Sequence, residues 1–122
     1  MVTKEMFNEI RILRQDLLKL EAVKSAGVDS SVCRVLIQQM NSDIELLWEM
    51  VSLSFEGVDY WEKKTIELYY FRALSIDDIS NFFFRRNKSK AKVKKILTDF
   101  LEDLETKNKE GLPLLYRSDP NK

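Results

Sequence analysis

The chain has no histidine, a single cysteine, three glycines and two prolines in 122 residues. Without histidine, a metal centre loses its commonest neutral ligand and an enzyme its readiest proton shuttle near neutral pH. The lone Cys33 cannot close an internal disulfide. Its apolar surroundings read as a buried structural thiol, suited to a reducing cytoplasm. Scarce glycine and proline leave few residues for the turns of a small sheet protein, so helices are favoured. Long apolar runs are missing too. The opening MVTKEMFNEIRILRQ carries a charge every few residues, so neither a signal peptide nor a membrane span is expected.

Catalytic constellations are equally thin. No glycine-rich phosphate loop occurs. Asp77 and Asp78 are adjacent carboxylates, but neighbours on a helix diverge by about 100°, and negative charge at a helix start explains them. No enzymatic activity and no cofactor or metal is expected.

What is present is a balanced, helix-forming composition. Hydrophobic residues make up 44% and charged residues 33%, with twenty basic and twenty acidic side chains. Such a chain suits one small soluble domain, alone or with an extension, and the fold class expected is all-α.

Met6, Ile10, Leu13, Leu17 and Leu20 recur in alternating steps of four and three, predicting a helix over 3–26 that Gly27 ends. Asp29 and Ser30 are placed to cap a second helix reaching about Phe55, before Gly57. Its stripe is Cys33, Ile37, Met40, Ile44, Leu47 and Val51. Leu46, Met50 and Leu53 add a second apolar face. That face is open either to a second copy, in a homodimer, or to the helices that follow.

Asp59 and Glu62 have capping-box spacing for a third helix through Phe71. Ser75 starts a fourth over about 76–84, with Ile79 and Phe82 or Phe83 turned inward. Ser89 is the expected cap of a fifth helix ending near Lys107. The organisation expected is a helical hairpin over 1–57, serving dimerisation or a partner, a three-helix unit over 58–108, and an irregular tail over 109–122. The tail's Leu112, Leu114, Leu115 and Tyr116 should fold back or dock into a partner.

Charge is unevenly placed. Residues 85–95, RRNKSKAKVKK, hold seven basic side chains and no acid: Arg85, Arg86, Lys88, Lys90, Lys92, Lys94 and Lys95. Projected on a helix, Val93, Ile96, Leu97, Phe100 and Leu104 share the core side, while Ala91, Lys95 and Thr98 point away. Lysines at a helix N-terminus oppose the macrodipole, which a sequence selected only for folding would avoid. The expectation is therefore a polyanion site, with duplex DNA the polyanion that fits. The fifth helix would enter a major groove in the helix-turn-helix manner. Arg85, Arg86 and Lys88 would lie against phosphates. Ser89 would cap the helix, and Lys90, Lys92, Lys94 and Lys95 would reach base edges or phosphates.

The segments YWEKKTIELYYFRALSIDDISNFF and SKAKVKKILTDFLEDLE resemble the region-four helix-turn-helix of bacterial sigma factors. They look closer still to the sigma-like ArpU-like and RinA-like regulators of phages and prophages, over about residues 60–106. Leu68, Tyr69, Tyr70, Phe71, Leu74, Ser75, Ile79, Ser89, Val93, Phe100 and Leu104 carry the likeness. It implies promoter binding, with RNA polymerase as a further partner, and transcription regulation as the role. The chain departs from that pattern in a longer Ile79-to-Val93 spacing and in having no glycine in the turn. A second class stays open: a phage-type inhibitor or adaptor of proteins, such as an anti-defence protein, using the same basic patch or the hairpin.

Overall fold

The computed structural model describes residues 2–27, 30–83 and 90–109. The fold is all-α, with no strand among the described residues. Helix α1 spans Lys4–Ser25, α2 Ser31–Val51, α3 Tyr60–Ile66, α4 Ile76–Phe83 and α5 Lys90–Lys109. A 3₁₀ turn, Ser52–Phe55, extends α2, and a π-helical segment, Glu67–Phe71, extends α3.

The ends form where capping chemistry places them. The Thr3 hydroxyl accepts from the Met6 amide, and the Ser30 hydroxyl accepts from the Cys33 amide at 3.1 Å. Asp59 accepts from the Trp61 amide at 3.0 Å, and Ser75 from the Asp78 amide at 3.0 Å. Each satisfies one of the four orphan donors of a helix start. Gly27 and Gly57 take φ of +104° and +81°. Glycine adopts this left-handed region without a Cβ clash, so both helical segments stop there.

Helices α1 and α2 form a hairpin whose seam is largely the expected one. Ile10 and Leu17 are buried on α1, and Cys33, Ile44 and Val51 on α2. The pattern missed Phe7. Fully buried, it sits within 6.3 Å, centroid to centroid, of Trp48, Phe55, Tyr70 and Phe100. These rings come from α2, the 3₁₀ turn, the π segment and α5. The hairpin and the later helices therefore share one hydrophobic core.

Two α1 arginines fasten that junction. A helix end leaves its last carbonyls without amide partners. Arg14 donates through Nε to the Phe71 carbonyl oxygen at 2.8 Å, and Arg11 reaches those of Tyr69 and Leu74. Burial and the nearby Arg72 charge lower the Arg14 pKa from its ordinary value. The third helix was expected to run regularly to Phe71, but its last five residues are π-helical. Both Leu68 and Tyr70 are buried although only two positions apart, and this segment has α1 and α4 packed against it.

On α4, Ile79 is buried as expected, whereas Phe82 is 60% exposed. The inward alternative, Phe83, has a side chain outside the described set, as does Phe84. The tail expected to fold back lies outside the described residues from 110 onward.

Candidate nucleic-acid interface

Helix α5 has one buried side and one open side. Val93, Leu97 and Leu104 are buried, and Ile96 and Phe100 are half-buried. Val93, Leu97 and Leu104 belong to the core and Phe100 packs against it, on the side the helical projection assigns them. Lys90, Ala91, Lys92, Lys94, Lys95 and Thr98 are exposed. Four ammonium groups thus occupy the first turns of a 20-residue helix, at the end where the macrodipole is positive.

Of the residues expected to bind DNA, Lys90, Lys92, Lys94 and Lys95 are brought together on this surface. Arg85, Arg86, Lys88 and Ser89 lie outside the described residues, so Ser89 as cap and the turn before α5 do too.

Residues 85–95 contain no acid of their own, but the fold brings counter-charge to Lys90 and Lys95 from outside that stretch. Lys90 pairs with Asp77 of α4 at 2.9 Å, and Lys95 pairs with Asp99 one turn further along α5 at 3.0 Å. Asp77 comes from the first turn of α4, thirteen residues earlier in sequence, and only the folded chain shows it facing the start of α5.

All four side chains of these pairs are more than half exposed. Exposed pairs contribute about 0–1 kcal/mol, and salt weakens them further. A phosphate can replace such a carboxylate at small cost. The pairs therefore lower affinity for a polyanion without closing the surface to it.

Charge changes sign along α5. Its second half carries exposed Asp99, Glu102, Asp103 and Glu105. Asp103 pairs with Lys107 at 3.4 Å, and Glu105 pairs with Lys4 at the start of α1 at 3.3 Å. Asn108 also donates to the Val2 carbonyl oxygen at 2.8 Å. The acidic half is thus tied to the start of α1, and the basic half meets α4 through Lys90 and Asp77.

Among the described residues, no cluster of three or more Cys, Asp or Glu side chains is arranged to hold a metal. No described helix is long and apolar enough to cross a membrane. Comparison with known proteins finds no matching family model, no matching curated protein and no matching solved structure.

Proposed function

We propose that the chain is a DNA-binding transcription regulator that docks the N-terminal half of α5 in the major groove. The observation that carries this reading is the division of α5. Val93 and Leu97 anchor the helix from below, and Lys90, Lys92, Lys94 and Lys95 stand exposed above them. A helix presenting several cations at its first turns suits the helix-in-groove mode, in which such side chains contact the flanking phosphates. Ala91, exposed between Lys90 and Lys92, keeps the middle of that surface low and allows close approach to a thymine methyl.

The preceding helix supports the same mode. Helix α4 packs against α5, and Ser75 fixes where it begins. The arrangement is in keeping with the sigma-like, phage-type regulators whose region-four pattern the sequence resembles. On that reading the target is a promoter, RNA polymerase is a second partner, and the protein works in the cytoplasm without catalysing a reaction.

The test is a gel-shift or anisotropy titration against source-genome promoter duplexes and random duplexes. The intact chain should bind at physiological salt. Replacing Lys92, Lys94 and Lys95 together by Ala should abolish the shift while leaving helical content unchanged. A triple variant that binds duplex as tightly as the parent rejects the assignment.

The second reading is a protein-binding inhibitor or adaptor. It draws on a different observation, the apolar side chains left exposed along α2. If duplex binding fails, that surface becomes the place to seek a partner.

A further inference from the structure

Helix α2 has a second apolar stripe. Val32, Leu36, Gln39, Asp43, Leu46 and Met50 follow one another in alternating steps of four and three, which is a coiled-coil seam, and Leu53 of the 3₁₀ turn continues the count. Val35 flanks it. The sequence left open whether the later helices cover this face, and among the described residues they do not. Leu46 is 60% exposed and Leu53 79%, with Val32, Val35, Leu36 and Met50 also open. The reason is rotational. Trp48 packs toward Phe7, Phe55 and Phe71, while Leu46 and Met50 lie about 200° around the helix from it.

We infer that this stripe is a homodimer seam, occupied by α2 of a second copy running antiparallel. The pattern is self-complementary about Asn41. An antiparallel copy centred there places Val32 against Met50 of the second copy and Leu36 against its Leu46. Gln39 then meets Asp43 of the second copy, and the same contact repeats across the two-fold axis. An amide N–H donating to a carboxylate satisfies both groups and fixes the register, as single polar positions do in coiled coils. Parallel pairing would instead set Asp43 against Asp43, two like charges in a closing interface.

The area is adequate. The helix is 21 residues long, about 32 Å at 1.5 Å per residue. Six exposed apolar side chains, at roughly 100 Å² each, offer about 600 Å² per copy. A standard interface uses about 800 Å² per partner, and the flanking polar atoms of the stripe supply the remainder. The seam faces away from Trp48 and the later helices. Dimerisation would therefore leave both α5 surfaces open, and it does not depend on what α5 binds.

The test is sedimentation equilibrium of the full chain without nucleic acid. The parent should be a dimer at micromolar concentration. Leu46→Glu and Met50→Glu, both at exposed positions, should shift it to monomer with an unchanged circular dichroism spectrum. Orientation is read by mixing a Gln39→Cys chain with an Asp43→Cys chain under oxidation. The cross-linked product should be the mixed dimer. A parent that remains monomeric, a dimer untouched by Leu46→Glu, or cross-links only between identical chains would overturn the inference. Duplex binding lost with the dimer intact would count against the α5 reading alone.

Discussion

Arg11 lies over the ring of Tyr69, its guanidinium carbon 3.8 Å from the ring centroid. The same guanidinium donates to the carbonyl oxygens of Tyr69 and, at 3.0 Å, Leu74. One α1 side chain thus holds the end of the π-helical segment and the entry to α4.

Removing that hold should loosen the junction between hairpin and later helices. Hydrogen bonds to a charged donor are worth about 1.5–3 kcal/mol, and a partly buried cation–π contact about 1 more. Arg11→Met keeps the aliphatic stem but strands two carbonyls. It should lower unfolding stability by about 2–4 kcal/mol in urea titration. A loss under about 0.5 kcal/mol, the range of an ordinary surface change, would show that the contacts are incidental.

Tyr70, at 3% exposure, has its pKa pushed up to about 12, first by burial and then by the neighbouring Tyr69. The folded state holds the phenol proton more tightly than the unfolded state, whose value is near 10. Stability should be unaffected by this group below about pH 10 and should fall as pH rises from there to about 12. Tyr70→Phe should flatten that decline, measured by thermal melts across the alkaline range.

Ala73 adopts φ of +58° between the π segment and Ser75. The Leu74 amide there donates to the Leu68 carbonyl oxygen at 3.0 Å, closing the helix end. A Cβ makes the left-handed conformation costly by about 1–2 kcal/mol, partly offset by the entropy glycine loses on folding. Ala73→Gly should therefore raise stability by up to about 1 kcal/mol. A destabilised variant would contradict this account of the turn.

Much of the scaffold is legible in the sequence because its signals are local. Ser30, Asp59 and Ser75 cap the helices they precede, and Gly27 and Gly57 sit where left-handed residues are needed. The α5 projection also separates Val93 and Leu97 from the lysines, since a single helix obeys its own period. What escaped is non-local. Phe7 falls on a Phe7–Ile10–Arg14–Leu17 stripe that Arg14 interrupts, and the arginine belongs there because it serves the Phe71 carbonyl, 57 residues away. The five-residue π segment packs against α1 and α4, contacts that no periodicity within it announces. Asp77 reads as a helix-start acid, and its partnership with Lys90 exists only once α4 and α5 meet.

That partnership makes a prediction of its own. If Lys90 contacts phosphate, Asp77 competes for it. Asp77→Asn should tighten duplex binding by about 1.4- to 5-fold, the equivalent of the 0.2–1 kcal/mol typical of an exposed pair. Lys90→Ala should weaken it. Equal affinity for parent and Asp77→Asn in anisotropy titrations would remove Lys90 from the interface.

The most direct test of the α5 assignment is the salt dependence of duplex binding. Each neutralised phosphate contributes about −0.9 to the slope of log affinity against log salt. Measured from low salt upward, where the variant still binds, the parent should show a steep negative slope, and the chain with Lys92, Lys94 and Lys95 all replaced by Ala should be shallower by roughly 2–3. The same slope in both proteins would contradict a DNA surface at the start of α5.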